Sequence, residues 1–177
     1  MAVNLAEWFR KARNNPEEYK KENEWLEKSL EVLDEPALQA AYQTACESMG
    51  RLNLNGARLL HKYKSLGATD VTGFGILGHA ENLAVVQKSG VDIVLERLPV
   101  IKGMLGVDKH VMPFNVVKGR SAETSGGLLA MMPDEAAAKA MVAELKEEYK
   151  EEAWIVGRLV PGSGKARIAE DVEIIDV

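Results

Sequence analysis

With 177 residues, 46% hydrophobic and 28% charged, the sequence suits one globular domain, or one domain with a helical extension. A net charge of −5 disfavours a nucleic acid as partner, and no apolar run approaches the ~20 residues that span a bilayer, so no membrane partner is expected. The N-terminus lacks an apolar signal core, and Glu7, Glu17 and Glu18 argue against a transit peptide, which makes the cytoplasm the expected location.

The first third reads helical. Leu5, Trp8, Phe9 and Ala12 share one face, and Asn15-Pro16-Glu17-Glu18 predicts the start of a second, solvated helix carrying Trp25, Leu26, Leu30 and Leu33. A third helix begins near Asp34-Glu35-Pro36 and presents Leu38, Ala41, Tyr42, Ala45 and Met49. A fourth carries Leu59, Leu60, Tyr63 and Leu66 and is expected to stop at Gly67. Ala68 to Thr72 then reads as a short strand, followed by a glycine-rich bend and a helix with Ile76, Leu77, Ala80, Leu83 and Ala84 on one stripe. Val91 to Leu98 is a strand, Lys102 to Ser125 a long loop, and Gly127 to Met132 a buried strand. Pro133 opens a helix bearing Ala137, Met141, Leu145 and Tyr149. Trp154 to Val160, Ala166 to Ala169 and Val172 to Val177 read as three closing strands, with a hairpin turn at Pro161-Gly162-Ser163-Gly164. Helices followed by a mixture of strands and helices predict an α+β fold, a mixed sheet packed with helices, with residues 1–33 as a helical extension or linker and 34–177 as the domain proper.

The densest chemistry lies between Thr69 and His79. Gly73, Gly75 and Gly78 satisfy GxGxxG between a strand and a helix, and Glu96 stands where a dinucleotide fold places its ribose-binding acid. Against an NAD-binding oxidoreductase domain stands the preceding strand, which Gly67, Thr69, Asp70 and Thr72 make too polar for a buried first strand. The other reading centres on Asp70: a carboxylate at a strand end, beside a glycine turn and a helix N-terminus, can hold a divalent cation against phosphate oxygens. The bland alternative is that Asp70 only caps the turn or helix.

Ala68 to Ala80, ATDVTGFGILGHA, resembles the central motif of the selenophosphate synthetase C-terminal domain, in the superfamily of aminoimidazole ribonucleotide synthetase. Glu123 to Leu129, ETSGGLL, is similar to a second family motif, and Ala153 to Gly157 with Ala166 to Ile168 resemble its C-terminal pattern. The resemblance implies a selenide, water dikinase, in which ATP, selenide and water give selenophosphate, AMP and orthophosphate with magnesium (Mg2+). It implies Asp70 as a metal ligand, Thr72 and Gly73 near the ATP phosphates, and a homodimer for the full-length enzyme. The family's catalytic Cys or selenocysteine, its lysine and its other metal-binding aspartates belong to an N-terminal domain that this sequence does not contain, so no catalytic residue is expected here and the chain alone is expected to be inactive. A non-catalytic interaction module keeping the fold is a further alternative.

Other signals point to structure. Cys46 sits mid-helix beside Ala45 and reads as a packed thiol that forms no internal disulfide, and His61, His79 and His110 have no paired ligand spacing. Gly162-Ser163-Gly164-Lys165 lacks the first glycine and the hydroxyl residue of a phosphate loop.

Overall fold

A computed structural model describes residues 2–177. Four helices open the chain: α1 (Ala2–Asn14), α2 (Lys20–Val32), α3 (Glu35–Gly50) and α4 (Leu54–Lys62). The α3 start follows its sequence signal, with the Asp34 carboxylate accepting the Ala37 N–H at 2.8 Å and Pro36 in the first turn. Asn15 and Glu18 do bond each other reciprocally, but within a turn; α2 begins only at Lys20.

Expected as a solvated outer helix, α2 keeps most of its residues exposed but buries one stripe against its neighbours. Leu26 and Ser29 join Leu5, Trp8 and Ala12 of α1 in a core shared with Leu38, Ala41 and Ala45 of α3. Trp8 packs on Trp25 with ring centroids 4.6 Å apart, and on Phe114 at 6.4 Å. Leu98, Val100, Met104 and Val107 belong to the same cluster, so the boundary expected between residues 33 and 34 runs through a continuous core. Charged residues at most other α2 positions hid a buried stripe only two residues wide.

Gly67 does not cap α4. The helix ends at Lys62, Lys64 takes the left-handed conformation at φ 54°, and Gly67 opens β1 (Gly67–Asp70). The Met131 carbonyl accepts both the Leu66 N–H (2.8 Å) and the Ser65 hydroxyl (3.0 Å), which draws this segment into strand pairing instead of helix. After β1 come α5 (Gly75–Val85), β2 (Val91–Val100), α6 (Met104–His110), β3 (Leu128–Met131) and α7 (Glu135–Glu144), then β4 (Gly157–Pro161) and β5 (Ala166–Asp176). The stretch 102–125 is thus not all loop: α6 lies within it and buries Met104 and Val107. Asp134, not Pro133, starts α7 by capping the Ala137 N–H at 2.7 Å, and a π-helical turn, Leu145–Tyr149, continues it.

The strands form two sheets. β1 and β3 pair antiparallel from Gly67↔Met131 to Asp70↔Leu128. In the other sheet β2 is central, antiparallel to β4 and parallel to β5. Ile93, Val94 and Leu95 of β2 are all buried, as a central strand covered on both faces requires. The second core cluster, with Ala80, Leu83 and Ala84 from α5, joins both sheets through Val71, Leu129, Met131, Ile93 and Leu95. The last two expected strands are one strand whose register breaks opposite Glu96, where the Val156 carbonyl accepts both the Glu96 and Arg97 N–H groups.

The Gly162 turn is likewise not a hairpin, because β4 and β5 lie on opposite sides of β2. The chain passes the start of β2, and the Asp92 carboxylate accepts the N–H groups of Ser163 (2.7 Å) and Lys165 (2.9 Å). This is an anion-binding loop whose anion is supplied from within, which accounts for its likeness to a phosphate loop. The Lys165 and Ser163 N–H groups hold the Asp92 carboxyl below its ordinary value of 3.8. A depressed folded value means that this stabilisation is present above about pH 4 and fades as pH falls through the lowered value. Asp92→Ala is therefore expected to lower the melting temperature near neutral pH, with the difference from wild type closing in acid. Thermal scans showing the same difference at both ends would overturn that account.

Candidate functional site

The two glycine-bearing motifs, some 50 residues apart, meet at one corner. β1 pairs with β3, so the chain leaving β1 at Asp70 runs beside the chain entering β3 from Glu123 to Gly127. The Val71 N–H donates to the Gly127 carbonyl at 3.0 Å. Gly126 lies so close that a side chain there would place its Cβ 2.1 Å from the Val71 oxygen. From α4's leading edge the Asn53 amide donates to the Gly126 carbonyl at 3.0 Å.

Thr72 joins the parts. Its carbonyl accepts the N–H groups of Gly75 (3.0 Å) and Glu123 (3.1 Å), and its own N–H donates to His79 Nε2 at 2.9 Å. The Thr72 hydroxyl lies 3.1 Å from the same nitrogen. His79 is buried on α5, its ring tilted against Phe74 at 5.6 Å. Sequence spacing marked His79 only as a residue with a surface or packing role; the signal that could have found it is its place seven residues after Thr72, within the same motif.

Asp70 is exposed at the end of β1. The cap of α5 is Phe74, which makes no side-chain cap bond, and no ion pair or side-chain hydrogen bond engages the Asp70 carboxylate among the described residues. Gly73 is also exposed, and nothing stands within 4 Å of where its Cβ would be. Asp70, Thr72 and Gly73 thus line one open turn. Solvent reaches Glu123, and desolvation by the protein around it raises its carboxyl above the ordinary value.

The donor set fits part of a magnesium site. Magnesium takes one or two carboxylates and completes its shell with water and phosphate oxygens, and Asp70 offers one uncommitted carboxylate. Among the described residues no group of three or more His, Cys, Asp or Glu side chains could hold a metal together. Asp70 could therefore be one ligand, with the others supplied from outside these residues.

The glycines do not form a dinucleotide site. A GxGxxG fold needs its first two strands parallel in one sheet, whereas β1 and β2 lie in different sheets. Gly75, with φ +70°, faces the protein's own backbone: a Cβ there would sit 2.5 Å from the Gly119 oxygen. The Leu77 N–H donates to that oxygen at 2.9 Å, so the α5 start is partly closed by its own chain. Glu96 pairs with Arg158. Cys46 is half-buried in α3, and His61 and His110 are exposed.

Comparison with known proteins agrees with the two motifs. The family described as AIR synthase related protein, C-terminal domain, matches residues 22–169. The whole chain aligns with a probable selenide, water dikinase of Caenorhabditis elegans at 43% identity, covering 46% of that protein. It aligns with selenide, water dikinase 2 of Homo sapiens at 40%, covering 38%, and with selenide, water dikinase of Trypanosoma brucei brucei at 39%, covering 44%. The chain spans less than half the length of these curated relatives. It belongs to the AIR synthase related C-terminal domain family and is a relative of the selenide, water dikinases.

Proposed function

We propose that the chain is the C-terminal part of an ATP-dependent enzyme that makes selenophosphate from selenide and water, releasing AMP and orthophosphate. The relatives' name, selenide, water dikinase, supports this reading, and its substrates and products are those the family resemblance implies. The observation that carries the site is an Asp70 carboxylate that caps nothing and faces solvent where the two motifs meet. In this reading Asp70 is one ligand of magnesium, and Thr72 and Gly73 lie against the phosphates. Gly73 suits that place because its backbone is open to close approach. Bound magnesium supplies charge neutralisation to the phosphate oxygens. In this reading the working enzyme is a cytoplasmic homodimer.

Phosphoryl transfer depends on assembled charge and positioning, and a single carboxylate does not assemble it. Purified by itself, the chain is expected to make no AMP from ATP when magnesium and selenide are supplied. Joined to the N-terminal part of a matched relative, and shown to be folded, it is expected to make AMP only when selenide is present. AMP formation by the chain alone would remove the claim that it is incomplete as a catalyst. A folded joined protein with no selenide-dependent AMP would remove the proposed reaction.

A further inference from the structure

We propose that His79 is a positioning residue, whose neutral ring, protonated on Nδ1, fixes Thr72 and through it the backbone linking Asp70 to Glu123. The tautomer follows from the bond itself. The Thr72 N–H points at Nε2 from 2.9 Å, and a backbone N–H can only donate, so Nε2 must carry its lone pair and no proton. Nε2 then cannot donate to the Thr72 hydroxyl at 3.1 Å, which leaves the lone pairs of Thr72 Oγ1 uncommitted to His79.

The consequence reaches both motifs because Thr72 is bonded in both directions. Its N–H is held by α5, while its carbonyl gathers the N–H groups of Gly75 and Glu123. Freeing the N–H side loosens the peptide two residues after Asp70 and leaves a part-buried donor without a partner. Leu83 and Ala84 already anchor α5 to the core, so the ring nitrogen is not needed to keep the helix in place. What the nitrogen adds is a fixed geometry for the open turn at Asp70, Thr72 and Gly73. The significance of that geometry rests on the function proposed above; the hydrogen bond and the tautomer do not.

The test uses this chain without ligand. Nitrogen spectra of His79 should show an unprotonated Nε2 and a protonated Nδ1. In His79→Leu, which keeps an apolar side chain on α5, exchange of the Thr72 amide with solvent should speed up by about tenfold, the loss of one hydrogen bond. In His79→Gln, whose amide oxygen reaches roughly the place of Nε2, that exchange should return close to the wild-type rate. The Leu129 amide in β3 should be unaffected in both. A proton on Nε2, an unchanged Thr72 amide in His79→Leu, or a glutamine variant as fast as the leucine one would each overturn the proposal. Asp70→Asn tests the metal reading separately, so normal turnover in that variant would leave the His79 result standing.

Discussion

Gly126→Ala is expected to destabilise the chain by about 2 kcal/mol, the cost of overpacking, which lowers the melting temperature by about 4–8 °C at this size. Gly73→Ala is expected to leave the melting temperature within error. Both glycines lie in motifs with a family likeness, and sequence alone gives no reason to separate them. The structure does. A Cβ on Gly126 would stand 2.1 Å from the Val71 carbonyl oxygen, a backbone atom tied to its own strand that can move only with β1. Relief would pull apart the Val71–Gly127 hydrogen bond and the Asn53 contact to the Gly126 carbonyl. Where a Cβ on Gly73 would stand, no described atom beyond the adjoining residues lies within 4 Å, and its φ is not in the left-handed region. Thermal unfolding of both variants checks the contrast. Equal losses would mean that the β1–β3 contact is not as close as described, and a loss confined to Gly73→Ala would reverse the assignment. If Gly73→Ala lowers activity in a complete enzyme while stability holds, the missing neighbour at Gly73 is a bound ligand.

The residues at this corner were legible in sequence; their meeting was not. Asp70, the three glycines and the Glu123–Leu129 run stand out locally because strand-end acids and glycine clusters have few uses in an ordinary helix or strand. One cap, Asp34 on α3, was legible for the same reason, whereas the Asp134 cap of α7 was passed over for Pro133. Pairing across long separations leaves no such local mark. Nothing in the run from Gly67 to Asp70 says that it will pair with Leu128–Met131 and not with β2, the next strand in the chain. Asp92 reads as an ordinary polar residue in a strand until the loop 71 residues later wraps around its carboxylate. His79 reads as a helical histidine until the turn folds back and presents the Thr72 N–H. The burial of α2 was hidden differently: charges fill most of its other positions, and its buried stripe is only Leu26 and Ser29. Local chemistry named the parts of the site, and the tertiary contacts decided which of them are structural.

Asp70→Asn has the largest expected effect on function and almost none on the fold. Asparagine keeps the size and the accepting oxygen of aspartate but removes the charge that a magnesium ligand must bring. In a complete dikinase carrying this C-terminal part, turnover is expected to fall about a hundredfold or more, corresponding to about 3 kcal/mol of lost transition-state stabilisation. In the chain by itself the melting temperature should stay within the scatter of a surface substitution, about 0.5 kcal/mol, because the carboxylate is exposed and, among the described residues, holds neither a cap nor an ion pair. A capping role would give a different pattern: asparagine caps nearly as well as aspartate, so activity would survive, while Asp70→Ala would lower stability. The two variants therefore separate the readings. Loss of turnover in both Asp70→Asn and Asp70→Ala, with the isolated chain's stability unchanged, supports a ligand. Near-normal turnover in Asp70→Asn would remove Asp70 from the metal site, leaving the AMP assay on the joined protein to carry the proposed reaction.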